Sequence, residues 1–178
     1  MNPIDIISKY YPAESDAWHI LVTHSRSVTN KALSLARLHP EMELDLSFIE
    51  EAAMLHDIGI FLCNAPEIDC HGSAEYICHG YLGADLMRKE GFPRHALVCE
   101  RHTGITLDMI EQRHLPLPHR IMVPVSLEEQ LICFADKFYS KTKLDKEKPV
   151  EKVKQGLVKY GEETVIRFDN WCKLFLGE

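Results

Sequence analysis

With 178 residues, 46 % of them hydrophobic and 26 % charged, the chain is sized for one domain that buries roughly two thirds of the surface its unfolded form would expose. Its net charge is −7 and no Lys/Arg stripe runs along any segment, so a nucleic-acid duplex is not an expected partner. No stretch approaches the ~20 apolar residues of a membrane span, so no membrane contact is expected either.

The opening residues, MNPIDIISKYYPAESD, lack a basic stretch followed by an apolar core and do not read as an export signal, so a soluble cytoplasmic protein is expected. From Asp16 to Leu38 the residues Ile20, His24, Val28 and Leu35 recur on one helical face, with Asp16 as the cap and Pro40 as the stop. His24 therefore lies inside an apolar stripe. A second helix, about Ser47 to His56, carries Phe48, Ile49, Ala52, Ala53 and Leu55, and Gly59 is placed to end it in a left-handed conformation. His56 and Asp57 fall in its last turn. Phe61 to Cys70 has Pro and Asn and no clear period, and reads as a loop beside a site.

A third helix is expected from near Ser73 to Lys89, broken by Gly91-Phe92-Pro93. A short one from Arg94 ends at Thr103-Gly104 and places Arg101 and His102 beside Leu97 and Val98. The span EQRHLPLPHRIMVP holds three prolines and cannot be one continuous helix. Ser126-Leu127-Glu128-Glu129 is a capping box opening a helix with Leu127, Leu131, Ile132, Phe134, Ala135 and Phe138 as its apolar set and Asp136 among them. The basic run KTKLDKEK at 141–148 is interrupted by acids and reads as a solvated turn. Helices over Val150 to Tyr160 and Glu163 to Leu176 close the chain, with Trp171 and Phe175 as packing anchors. No internal repeat and no defensible strand is visible, so the expected class is all-α.

Six side chains with metal-ligand chemistry fall in these helical segments: His24, His56, Asp57, His79, His102 and Asp136. Imidazole nitrogen and carboxylate oxygen together suit a divalent first-row metal, and Asp is the usual residue when one group bridges two ions. Taken singly, each His reads better as a hydrogen-bonded core residue than as a ligand. Asp136, flanked by Phe134, Ala135 and Phe138, is costly to bury without a metal or a basic partner. His39, before Pro40, and His95, after Pro93-Arg94, read as surface positions. The six cysteines form no CxxC pair and read as reduced thiols; Cys63, Cys70, His71 and Cys78 are spaced too widely for a common zinc finger.

The segments VTHSRSVTNKAL, AAMLHDIG, HGYLGADLMRKEGFP, ERHTG and LEEQLICFADKFYSK, in that order, resemble the successive motifs of the HD-domain superfamily, in its HDIG subgroup of metal-dependent phosphohydrolases. The likeness covers roughly residues 16 to 141 and implies an all-α, HD-type helical bundle with a metal site between helices. One domain over 1–178 is expected, with the helices of 150–176 packed on that core. The family's first His falls on His24, its HD doublet on His56 and Asp57, its last Asp on Asp136 and its two optional histidines on His79 and His102. The pattern implies at least one and preferably two divalent ions (Fe, Mn, Zn or Co). One would be held by His24, His56, Asp57 and Asp136, the other by His79, His102 and a bridging Asp57.

Two such ions make hydroxide available at neutral pH, so the implied reaction is hydrolysis of a phosphoester or phosphoanhydride in a nucleotide or other small phosphorylated metabolite, dinucleoside polyphosphates among them. Asp57 would position the attacking group, and Lys137 and Arg101, each next to a ligand, are the candidate cations for charge on the phosphate. Many HDIG members continue with Lys after the Gly; here the residue is Ile60, and the GYP-type motif of cyclic dinucleotide phosphodiesterases is also missing, so cyclic dinucleotides are not assigned. The span from Leu115 to Pro124 is either a lid with His114, His119 and Arg120 facing substrate or a stiff surface connection. Two alternatives keep the same ligands: a di-iron oxygenase of the superfamily, and a non-catalytic, metal-stabilised nucleotide-binding module.

Overall fold

A computed structural model describes residues 1–177. Nine α-helices carry the described chain, and local chemistry accounts for most of their ends. α1 (Pro3–Tyr10), which sequence pattern alone does not announce, starts on Pro3 with Asn2 Oδ1 accepting from the Ile4 N–H at 3.1 Å. α2 (Asp16–Leu38) is capped not by Asp16 but by Ser15, whose hydroxyl accepts from the Trp18 N–H at 3.2 Å; Asp16 occupies the first turn, where its charge suits the helix dipole. α3 (Leu46–Leu55) takes Asp45 as its cap.

Between α3 and α4 the expected loop is more ordered than its composition implies. A 3₁₀ turn over Ile58–Leu62 leads into a two-residue antiparallel ribbon, β1 (Asn64–Ala65) and β2 (Cys70–His71). Strands this short show no alternation, so no sequence period could reveal them. α4 (His79–Lys89) begins later than its apolar pattern predicts because Tyr76–Cys78 forms a 3₁₀ turn first, which puts His79 at the helix start. α5 (Pro93–Arg101) and α6 (Leu107–Arg113) follow.

At α7 (Leu127–Asp136) the Ser126 hydroxyl accepts from the Glu129 N–H at 3.1 Å. The Glu129 carboxylate reaches back one residue further than in a standard capping box, to the Val125 N–H at 2.8 Å. α8 (Val150–Leu157) and α9 (Glu162–Trp171) complete the set, and the last turn, Cys172–Leu176, widens to π geometry. No helix among the described residues is long and apolar enough to cross a membrane.

The two larger of three apolar clusters hold most of the elements together. One gathers Phe134 of α7 and Phe138 just after that helix with Phe168, Trp171 and Phe175 and the apolar faces of α2 and α3. The other centres on Ile7, Tyr11, Leu21, Leu55, Ile58 and Met87. Both draw on α2, α3 and α5, and those shared helices carry or immediately precede His24, His56 and His102. The Tyr11 hydroxyl donates to the Ile58 carbonyl at 2.7 Å and accepts from the Phe61 N–H at 3.1 Å, pinning the turn that follows His56-Asp57.

Gly59 does not adopt the left-handed conformation expected of a helix stop, since its φ is not positive. Its role is close approach: a Cβ there would lie 2.3 Å from the His79 carbonyl oxygen and 2.6 Å from the Gly83 nitrogen, so only glycine lets α4 cross this tightly. His95 is also not a surface residue. It is 9 % exposed, with Nε2 2.9 Å from the Glu51 carboxylate. All six cysteines are buried, and Cys63, Cys70, Cys78, Cys99 and Cys133 are free thiols.

Candidate metal centre

Three of the four histidines meet by the same local device. His56 ends α3, His79 starts α4 and His102 ends α5, all with right-handed helical backbone. Each ring donates its Nδ1–H to the carbonyl three residues back: Ala53 at 2.6 Å, Tyr76 at 2.6 Å and Cys99 at 2.7 Å. That bond fixes both ring orientation and tautomer, leaving each Nε2 with a bare lone pair aimed at the centre. His24 differs: it comes from the middle of α2 and its Nδ1 is buried without a partner.

Asp57, fully buried, divides the ring nitrogens between its two oxygens. Oδ2 lies 3.2 Å from His24 Nε2 and 3.0 Å from His56 Nε2, while Oδ1 lies 3.1 Å from His79 Nε2 and 3.2 Å from His102 Nε2. Asp136 Oδ1 joins the first group at 2.9 Å from His24 and 3.3 Å from His56. The donor atoms thus form two sets that share Asp57: His24, His56, Asp57 and Asp136, and Asp57, His79 and His102.

In the second set the contacts have the distances of hydrogen bonds without their protons. His79 Nε2 and His102 Nε2 stand 3.2 Å apart, yet both rings have already committed their Nδ1–H to carbonyls, so two lone pairs face each other. Asp57 Oδ1 receives no hydrogen bond despite the imidazole nitrogens of His79 and His102 beside it, and the charged donor at Oδ2 is the Lys141 ammonium. Lone pair against lone pair is repulsive in a dry interior, and the partner this arrangement fits is a cation. The charge balance agrees. Burial opposes charging His56, but the Asp57 charge and the Asp136 hydrogen bond outweigh it and push that imidazole up to about 10; a proton there does the work of a metal. Burial likewise opposes ionising Asp57 and Asp136, yet the surrounding rings, with Lys141 beside Asp57, hold both carboxyls well below the usual range. At His102 burial prevails and lowers the ring's affinity for a proton. Nitrogen and carboxylate donors of this kind suit divalent first-row metals.

Two-thirds of the chain, residues 21–140, matches the family model described as "HD domain". The chain belongs to the HD-domain family. Membership points to metal-dependent, hydrolase-type chemistry, consistent with the donor cluster. Among curated relatives, an uncharacterized protein of Methanocaldococcus jannaschii is 33 % identical over 126 residues, 69 % of this chain and 68 % of that protein. Two proteins named tRNA (cytidine(56)-2'-O)-methyltransferase also match. The one from Thermoplasma volcanium is 24 % identical over 98 % of this chain and 47 % of its own length, and that from Picrophilus torridus 30 % identical over 74 % and 38 %. The chain spans less than half the length of those two. No solved structure matches it.

The HD domain opens its donor cluster into a pocket of about 570 Å³, lined by His24, His79, His102 and Asp136 among others. The two cations singled out beside ligands part ways here. Lys137 lines the pocket, whereas Arg101 is not brought to it: its guanidinium holds both oxygens of Glu129 at 3.1 Å. Sequence reasoning missed the cation nearest the centre. Lys141 Nζ lies 2.6 Å from Asp57 Oδ2, with its side chain 13 % exposed, and Asp57 holds it firmly protonated. The signal was its place at the end of the LEEQLICFADKFYSK motif; read as the start of a basic run, it looked solvated. Ile60 is fully buried in the second apolar cluster and does not face the pocket. His119 pairs with Glu111 and Arg120 with Glu100, and neither they nor His114 lines the pocket, so the 115–124 span does not bring these three side chains to the donor cluster.

Proposed function

We propose that this HD domain is a metal-dependent phosphohydrolase with two divalent ions, cleaving a phosphoester or phosphoanhydride in a nucleotide or other small phosphorylated metabolite. The observation that carries the reading is the sharing of Asp57: one carboxylate oxygen serves His24 and His56, the other His79 and His102. One ion within reach of the first set leaves the facing lone pairs of His79 and His102 uncompensated, whereas an ion for each set satisfies all six donors. Divalent ions held there supply a water of lowered pKa and an electrophilic hold on phosphoryl oxygens.

The chain's own residues do the rest. The three backbone carbonyls lock the imidazoles, so no ligand reorients as charge develops. Lys141 sets a positive charge against the shared carboxylate. Lys137 offers a second cation from the pocket wall for phosphoryl oxygens. The pocket volume lies in the range of small-ligand sites. Methyl transfer is not proposed: this chain matches under half of each methyltransferase, and the reading rests on the donor cluster.

The test is purification with metal analysis, then a screen of nucleotides, dinucleotides and aryl phosphates in air and under anaerobic conditions. Phosphate release that persists without oxygen and with zinc or manganese is the expected result. Turnover confined to the iron form in air would replace the hydrolase with an oxygenase. Stoichiometric metal with no turnover on any substrate would leave a metal-stabilised binding module.

A further inference from the structure

The pocket beyond the donor cluster carries far more positive charge than its surroundings. Six of its lining side chains are basic and two, Glu67 and Asp136, are acidic, in a chain with 20 basic and 27 acidic residues. Only Lys141 among the six has an ion-pair partner; Lys137, Lys148, Lys152, Lys159 and Arg167 make no salt bridge among the described residues. The wall is built in place. The Lys148 N–H donates to the Phe138 carbonyl at 2.8 Å, anchoring the loop after α7, and Arg167 of α9 reaches across to the Gly104 carbonyl at 3.1 Å. Burial lowers the Lys148 ammonium below its ordinary range, and crowding by Lys137, Lys141 and Lys152 adds to that against Asp136 as the opposing charge. Like charges gathered in one concave pocket destabilise a fold unless a ligand compensates them.

Four of these five, Lys148, Lys152, Lys159 and Arg167, lie beyond the 21–140 span of the family match, so most of the basic wall comes from outside the HD framework. A monophosphate brings about two negative charges, which the donor cluster with its ions and Lys141 can already meet. With Lys137 also given to that phosphoryl group, four more cations would stand without an ion pair.

We infer that the pocket selects a polyphosphate chain: a nucleoside triphosphate or similar ligand whose reacting phosphoryl sits at the donor cluster while the linked ones run along Lys148, Lys152 and Lys159. This takes the phosphoryl-binding role of the cluster from the function proposed above. An RNA backbone is the competing polyanion, but these cations converge into one pocket rather than track across a face, and a net charge of −7 repels a long polyanion.

The measurement is calorimetric binding to the metal-loaded protein of AMP and of the non-hydrolysable β,γ-imido analogue of ATP, at fixed ionic strength. The triphosphate analogue is expected to bind at least ~10-fold more tightly than AMP. The K152Q/K159Q double variant and, separately, K148Q should each lose roughly 3- to 10-fold for the analogue and less than about twofold for AMP. Lys152 and Lys159 are exposed, so the double variant keeps its fold, and K173Q, the same charge change on an exposed residue outside the pocket, should leave both affinities alone. Equal affinity for the two ligands, no binding of either, or a preference that survives in both variants overturns the inference. So does unfractionated tRNA displacing the analogue at lower concentration than tripolyphosphate does, which would make the wall an RNA track. A preference for the analogue without phosphate release on any substrate sinks the hydrolase and leaves the polyphosphate site; monoester turnover without the preference does the reverse.

Discussion

Two faces of α7 lie two residues apart and solve burial in opposite ways. Phe134 packs its ring against Phe138, Phe168 and Phe175 with centroids 5.0, 5.2 and 5.5 Å away, and every partner it needs belongs to the chain. Asp136 meets His24 and His56 within 3.3 Å, inside a cluster whose nitrogens present lone pairs to one another. Apolar contact is non-directional, so the aromatic face is complete once it is dry. The polar face is complete only with positive charge added. Stability on one side is therefore intrinsic, and on the other it follows metal concentration by mass action.

The strongest way to break this comparison is Asp57→Ala, because Asp57 belongs to both donor sets. Bound metal and turnover should fall to background together, by elemental analysis and phosphate release; a variant that kept its metal would remove the centre described here. Next comes Phe134→Ala, expected to lower the free energy of unfolding by roughly 3–5 kcal/mol in denaturant titrations while metal content per folded molecule holds. Loss of metal from folded protein would mean the two faces are coupled. Lys141→Met sharpens the contrast from the other side: all donors remain, so metal content should persist while turnover drops about 10- to 100-fold.

A smaller effect is expected in pH. In chelator-treated protein His56 has a folded value of about 10, above its ordinary 6.5. The stabilisation from its bound proton is thus fully present below the ordinary value and fades as pH rises toward about 10. The chelated form should melt progressively lower across that window while the metal-loaded form does not follow; parallel curves would show that proton and metal do not exchange roles. At the low end, Asp57 and Asp136, held well below the usual range, keep their contribution until pH falls under that range. The smallest change belongs to Arg101→Ala, worth about 1 kcal/mol through its Glu129 pair and less than about twofold in turnover. A large catalytic loss there would restore Arg101 to the pocket.

Much of this was legible before any coordinates. Periodicity and caps act within a turn or two of sequence, so α2, α3, α5 and α7 lie within a residue or two of where their patterns put them. The ordered motifs also named the six residues that meet. What the pattern misjudged depended on neighbours distant in sequence. Gly59 answers to the His79 carbonyl rather than to its own φ, and His95 is buried because Glu51 stands opposite it. Lys141 rather than Arg101 reaches Asp57 because the chain turns back to the pocket after α7 whereas the end of α5 faces Glu129.

Residue type and order therefore determined that this is a helical HD domain with imidazole and carboxylate donors, since both are properties of short segments. Tertiary packing alone decided which ring nitrogens face each other, how one carboxylate is shared between two sets, and which lysines line the pocket. Those outcomes join residues as far apart as His24 and Asp136, 112 positions along the chain, and no local preference spans that distance.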